Sequence, residues 1–518
     1  MKVLLMHPDE DFSPGRELPP ESDDLVEDLG LGTLFQAMAK GDKLIFAVSK
    51  AALLSPLGRP EPVVYRQAVL ADFTAHPELA EGLYSLATEA LQSHQRLTFW
   101  GLNRSPESVR YTSVQALEML TGYLVRLRRL VGEHEPDMAS PALARLRSTV
   151  LTELGDDYMK PLQHHLNELK LPHGLAMSAQ LGVANKGTAY MLHRVPPRRL
   201  RDRLAGRGPA SYSFAIAERD ESGMRALGEL QARGVNIAAN ALAQSVEHVL
   251  SFFRALQTEL AFYLGCLNLR SALTEKGEPI CTPLPLPADQ AGFSAAGLYD
   301  PCLSLLVGDR VVGNDVTADG KRLVVVTGAN RGGKSTFLRS VGLAHLMMQA
   351  GMFVAATSFA ASVARRAFTH FKRNEDTSMQ GGKLDEELAR MSVVVSHISP
   401  GCLLLCNEPF ASTNEREGSD IGRQVFLPLV NAGVRVYLVT HLFDLAQSLY
   451  EGDTAPAVFL RAPRQGGPQP FKLVEGAPEP TAYGEDVYRR VFGRSPAGAL
   501  ATSPGDDPAG VGHPTTAS

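Results

Sequence analysis

The sequence predicts an α-helical first half followed by an α/β second half, and three observations carry that prediction. Apolar residues recur at helical spacing from about residue 34 to residue 130. A second run, Leu242, Val246, Val249, Phe253, Leu256, Leu260, Tyr263 and Leu267, alternates spacings of four and three. After a proline-rich break at residues 277–292, the pattern becomes short β-branched runs separated by helix-length segments, as in a parallel sheet.

Taken in order, residues 1–30 form an N-terminal segment. Residues 31–290 follow as a helical domain, interrupted near Pro56, Pro60 and Pro62. The seam from Leu242 is about four heptads long, so it reads as one long helix packed in its own bundle rather than an intermolecular coiled coil. Pro279, Pro283, Pro285 and Pro287 mark the domain boundary, and residues 291–494 form the α/β domain. Residues 495–518 are small, polar and rich in Pro and Gly, so that segment is expected to be a disordered tail. No internal repeat is present.

The 518 residues, 44% hydrophobic and 21% charged, suffice for several packed domains. A net charge of −5 gives no overall attraction to a polyanion, so any nucleic-acid contact must come from a local basic surface. Five cysteines, Cys266, Cys281, Cys302, Cys402 and Cys406, lack Cys-x-x-Cys spacing and argue against a disulfide framework or a zinc site. The apolar run after Lys2 is too short for a signal peptide, and no run approaches the ~20 residues that span a bilayer. A cytoplasmic protein without a membrane segment is expected.

Chemistry concentrates in the second half. A strand at 323–326 runs into Thr327-Gly328-Ala329-Asn330-Arg331-Gly332-Gly333-Lys334-Ser335-Thr336, and a helical pattern follows from Phe337. This is G-x-x-x-x-G-K-S in its strand–loop–helix context. Its glycines let backbone N–H groups curl around phosphate oxygens at a helix N-terminus. Lys334 supplies a point charge to the β- and γ-phosphates, and the Ser335 hydroxyl can ligate Mg²⁺. ATP or GTP binding is the expectation.

Hydrolysis needs a group that orients and deprotonates water, and Glu408 stands just past the apolar strand 402–406. Before it, where an aspartate would hold the Mg²⁺ shell, is Asn407, which lends no charge. Slow turnover is expected. A third strand, 434–439, delivers His441 to the same sheet edge as a γ-phosphate sensor. Gly381, Gly382 and Lys383 precede a helical segment, so freed amides sit at a helix N-terminus. They read equally as a tight turn or as a second anion contact. In ABC-type ATPases such a segment completes a partner's ATP site, which would make hydrolysis require a dimer.

Together, TGANRGGKST, LLLCNEPFASTNEREGSD and VTHLFDLA, in that order and spacing, resemble the ATPase domain of the MutS family of DNA mismatch-repair proteins, a relative of ABC ATPases. The likeness extends upstream to Val312-Gly313-Asn314-Asp315, similar to the family's adenine-site segment. Downstream it extends to Lys472-Leu473-Val474-Glu475-Gly476 and Tyr483-Gly484. The first half is loosely similar to the family's helical core and lever. The fold implied is therefore an α-helical core/lever domain followed by an α/β P-loop (ABC/MutS-like) ATPase domain. The resemblance implies that Lys334 and Ser335 bind phosphate and Mg²⁺, Glu408 activates water, His441 reads the γ-phosphate, and Thr413 and Gly418 lie in the loop after Glu408. It further implies an ATP-dependent, homodimeric clamp on double-stranded DNA.

Several features depart from the family pattern. Asn407 replaces an acid, Pro409-Phe410-Ala411 replaces a glycine-rich stretch, and residues 379–383 lack the serine that reaches a partner's γ-phosphate. No Phe-x-Glu, the family's mismatch wedge, occurs. The resemblance is thus to a shortened member whose substrates are mismatched, branched or distorted DNA. Arg194, Arg198, Arg199, Arg201, Arg203 and Arg207 are candidates for phosphate contact, with a solvated surface as the alternative. Arg126, Arg128, Arg129, Arg145 and Arg147 read as helix surface. Two alternatives stand beside this reading: an ABC-type or structural-maintenance ATPase with a non-DNA partner, and a non-hydrolysing nucleotide switch.

Overall fold

The computed structural model describes residues 1–98, 105–172, 174–194, 215–217, 219–329, 332–373, 382–452, 456–463 and 471–479. The expected tail at 495–518 lies outside the described residues, as does Tyr483-Gly484.

The first half is built from α1 (Ser22–Leu29), α2 (Leu31–Ala39), α3 (Lys43–Leu54), α4 (Pro60–Ala75), α5 (Pro77–Thr98), α6 (Pro106–Glu133), α7 (Pro141–Glu153) and α8 (Asp156–Leu169). Their starts follow from local chemistry. Proline opens α4, α6 and α7, where its missing N–H costs nothing. The Asp42 side chain accepts from the Leu44 and Ile45 amides at 2.7 and 3.1 Å to cap α3.

After α8 come β1 (Ala176–Leu181) and β2 (Gly187–His193), an antiparallel hairpin. This differs from the wholly helical character expected of 31–290. The hairpin buries no side chain, so the apolar periodicity used to read the sequence has no counterpart there.

The long helix α9 (Glu221–Thr274) carries the expected seam. Leu242, Val246, Phe253, Leu256, Leu260 and Tyr263 are buried, while Val249 and Leu267 are half-buried. The buried stripe is wider than a two-position seam because α2, α3, α5 and α6 all pack along α9. Its N-terminal part, with Met224, Leu230 and Ile237 exposed, extends past that bundle.

The second half adds β3 (Leu284–Leu286), β4 (Phe293–Leu298), α10 (Pro301–Leu306), β5 (Asn314–Thr317), β6 (Leu323–Gly328), α11 (Lys334–Gln349), β7 (Ser358–Ser362) and β8 (Ala367–Phe371). It continues with α12 (Lys383–His397), β9 (Leu403–Asn407), α13 (Glu415–Asn431), β10 (Arg435–Val439), α14 (Phe443–Glu451), β11 (Ala457–Ala462) and β12 (Val474–Glu475). One sheet runs β12-β11-β6-β10-β9-β8, parallel except for β12. A smaller sheet runs β3-β7-β4-β5. Because β3 pairs with β7, the proline-rich stretch 277–292 already contributes a strand to the α/β half.

Strand residues alternate between two covered faces, which is why these strands read as continuous apolar runs. Val324, Val326, Leu403, Leu405 and Val439 face α11 and share one core with the helical half. Leu323, Val325, Leu404, Cys406, Val436 and Leu438 face the core that includes residues of α12, α13 and α14. The helical half and one face of the sheet therefore form a single apolar interior. No helix among the described residues is long and apolar enough to cross a membrane.

Candidate nucleotide site

Three strand ends are pinned at one edge of the large sheet. Val439 of β10 registers against Val326 of β6 and Asn407 of β9. Just beyond, the Thr440 N–H donates to Val326 O at 3.1 Å and the Glu408 N–H to Val439 O at 2.8 Å. Lys334 and Ser335, Asn407 and Glu408, and His441, which are far apart in sequence, thereby share one rim.

The turn between β6 and α11 is shaped by glycine. Gly328 has φ +102°, and a Cβ there would lie 2.4 Å from Ala462 O on β11. Gly333, at φ +85°, caps α11. Ala329 and Gly332 flank the turn, and Thr336 follows Ser335 in the first turn of α11; Asn330 and Arg331 lie outside the described residues. The Lys334 side chain is buried, and its Nζ donates to the Gly328 and Ala329 carbonyls at 2.6 and 3.1 Å. Burial pulls the ammonium below its ordinary value, opposed by the Glu408 carboxylate. An amine with only two carbonyl partners is a donor with capacity to spare for an anion.

Ser335 Oγ donates to Asn407 Oδ1 at 2.8 Å. Glu408 and His441 face each other, with Oε2 and Nδ1 4.0 Å apart and both side chains partly exposed. A cavity of about 420 Å³ opens beside Glu408, its polar lining including Gly332, Gly333, Lys334, Ser335 and Thr336; Asn407 and His441 stand at the same sheet edge but do not line it. Leu298, Val311, Val312 and Phe471 give most of the remaining lining an apolar character, with the charged Asp300 and Arg310 also on it. Such a volume, with an ammonium and hydroxyls on one part of its wall and apolar side chains on another, fits a nucleoside triphosphate. The neutral oxygens of Ser335 and Asn407 fit a Mg²⁺ whose charge is balanced by phosphate, not by protein. No group of three or more metal-ligating side chains occurs among the described residues.

Phe471 and Glu387 escaped sequence reasoning. The Asn314 side chain donates to Phe471 O at 3.3 Å and accepts from the Leu473 N–H at 2.7 Å, drawing residues 471–473 over the cavity. The only sequence signal was the likeness on either side, at 312–315 and from Lys472. Glu387 lies inside α12 and carries no motif.

The other candidates are more scattered. Gly382 caps α12 and Lys383 begins it, while Gly381 lies outside the described residues. Thr413 donates to Glu417, and Gly418 falls within α13. Arg194 pairs with Glu168 and contacts His164; Arg198, Arg199, Arg201, Arg203 and Arg207 lie outside the described residues. In the second basic cluster, Arg126, Arg128, Arg129 and Arg147 pair with Glu89, Asp156, Glu133 and Glu135, and Arg145 donates to Pro8 O.

A mostly parallel sheet with helices on both faces, and a cavity outside the carboxyl ends of its strands, defines an α/β ligand-binding domain, here fused to a helical arm. Residues 59–276 match the family model of the MutS2 N-terminal domain, and residues 324–472 match that of MutS domain V. The chain belongs to the MutS family. Among its relatives, the DNA mismatch repair protein MutS of Thermotoga sp. (strain RQ2) is 34% identical over 137 residues, 26% of this chain and 17% of that protein. The endonuclease MutS2 of Anaeromyxobacter sp. (strain Fw109-5) is 33% identical over 161 residues, 30% of this chain and 19% of that protein. The DNA mismatch repair protein MutS of Chloroflexus aurantiacus (strain ATCC 29366 / DSM 635 / J-10-fl) is 29% identical over 150 residues, 28% and 16% of the two chains. Each match thus spans less than a fifth of the relative's length.

Proposed function

We propose that this chain is a Mg²⁺-dependent ATP hydrolase of the MutS type, working as a homodimer that closes on double-stranded DNA. The observation that carries the reading is the gathering of Lys334, Ser335, Asn407, Glu408 and His441 at one sheet edge beside a cavity of nucleotide size. In this reading Lys334 turns from the Gly328 and Ala329 carbonyls to the β- and γ-phosphates. Ser335 and Asn407 would hold Mg²⁺, which would supply charge neutralisation on the phosphates. Glu408 orients the attacking water and takes its proton as the oxygen bonds to the γ-phosphorus and the β–γ bridge breaks. His441 donates to a γ-phosphate oxygen, and the apolar part of the cavity's wall takes the adenine.

Family membership and the helical arm support DNA as the partner. Mismatched, branched or distorted duplex is the proposed substrate, with Gly381, Gly382 and Lys383 meeting the nucleotide of the second copy. Arg194, Arg198, Arg199, Arg201, Arg203 and Arg207 are proposed to touch phosphates, Arg194 exchanging Glu168 for DNA. A gel shift with four-way junction, mismatched and plain duplex, beside measured ATP turnover, tests the reading: retention of the first two and turnover stimulated by them are expected. Equal indifference to all three duplexes contradicts the DNA assignment. Charge reversal at Arg198 and Arg199 should weaken duplex binding and flatten its salt dependence.

Asn407 favours a second reading, a nucleotide switch that binds ATP without hydrolysing it. ATP binding with no turnover in the unaltered chain supports the switch; turnover lost on Glu408→Gln rules it out.

A further inference from the structure

The turn that carries Glu408 is held in an uncommon conformation. Glu408 and Phe410 both have left-handed backbones, φ +53° and +59°, which residues other than glycine adopt where their surroundings impose it. One restraint is the Glu408 N–H on Val439 O. Another is α13, packed so closely that a Cβ on Gly418 would lie 2.7 Å from Phe410 O.

The third restraint is a buried carboxylate from a different element. Glu387, on the second turn of α12, points inward and is nearly inaccessible. Its Oε1 accepts from the Phe410 N–H at 2.5 Å and its Oε2 from Ser412 Oγ at 3.1 Å. The His370 ring, buried on β8, stands 3.7 Å from Oε1. Burial pushes this carboxyl up, but His370 and the two donors more than offset it and hold it below its ordinary value. Both oxygens of an ionised side chain are therefore engaged on the segment immediately after Glu408, and α12 starts at Gly382 and Lys383.

We propose that Glu387 is a positioning residue for hydrolysis: its carboxylate fixes the 408–410 turn so that Glu408 faces the cavity, and it ties that placement to α12. A displacement at the Gly382–Lys383 end of α12 then reaches the general base through one side chain. This rests on the ATP-hydrolase reading above.

Steady-state turnover and equilibrium ATP binding on the full chain, with Glu387→Ala and Glu387→Gln, test it. Misplacing a catalytic group by an ångström or less costs large factors, so Glu387→Ala should lower kcat about tenfold or more while ATP Kd stays within about twofold. Glu387→Gln can still accept from Phe410 and donate to the Ser412 hydroxyl, so kcat should return to within about threefold of the unaltered chain. Should Glu387→Ala fail to fold, Ser412→Ala removes one of the two contacts and is expected to lower kcat severalfold at unchanged Kd. Unchanged kcat in the folded variant overturns the proposal. So do equal losses in the Ala and Gln variants, or a fall in ATP affinity that matches the fall in kcat. Absence of turnover in the unaltered chain overturns the hydrolase reading and this inference together, whereas turnover there with undiminished kcat in Glu387→Ala overturns this inference alone.

Discussion

The Ser335 hydroxyl donates to Asn407 Oδ1 at 2.8 Å, joining the first turn of α11 to the end of β9. An aspartate at 407 would accept the same bond and add a negative charge where Mg²⁺ is proposed to sit. Asn407→Asp should therefore lower the Mg²⁺ concentration for half-maximal turnover by about tenfold, roughly the effect of one charge-assisted contact. A Mg²⁺ titration of ATP hydrolysis checks it, and an unchanged midpoint argues against a metal at this place.

Lys334 is buried with two carbonyl partners, and its ammonium belongs to the cavity's polar lining. Lys334→Ala should weaken ATP binding by about a hundredfold, the loss of a charge-assisted contact worth roughly 2–3 kcal/mol. The variant should keep its melting temperature to within a few degrees, because the lysine's desolvation is relieved as its two bonds are lost. Titration with a fluorescent ATP analogue measures this; undiminished affinity counts against the site.

Glu259, on α9, anchors the N-terminus: its carboxylate accepts from the Leu5, Met6 and Phe12 amides at 2.5, 3.1 and 2.7 Å. Burial, opposed by those three donors, pushes it up from 4.5 to about 7. Between these values the folded chain keeps a proton that the unfolded chain has released, so stability from this group is complete below 4.5 and lost as pH rises through 7. The loss amounts to on the order of 3 kcal/mol. Melting temperature should fall from pH 5 to pH 8 in the unaltered chain and fall less in Glu259→Gln. Parallel slopes in the two proteins would remove Glu259 as the cause.

The legibility of the site follows from where its chemistry lies. Asn407, Glu408 and His441 sit at or just past the ends of apolar runs, and Lys334 closes a glycine-rich loop that follows one, so each is visible one strand at a time. Their common edge required only that the strands be parallel. Phe471 and Glu387 were hidden because nothing local marks them: one is brought in by the Asn314 side chain, the other by packing of α12. The helical half was legible where helices share a core and illegible at 176–193, where the hairpin is exposed and apolar spacing has nothing to report. The boundary at 277–292 marked a change of pattern, yet β3 lies within it because pairing with β7 involves residues more than 70 positions away.

Glu408 is proposed to stand over the triphosphate that Lys334 holds. Single-turnover hydrolysis of bound ATP by the unaltered chain and by Glu408→Gln decides this. The variant should bind ATP as tightly and cleave it at least about a hundredfold more slowly, the scale of a lost general base; cleavage at the unaltered rate removes Glu408 from that role.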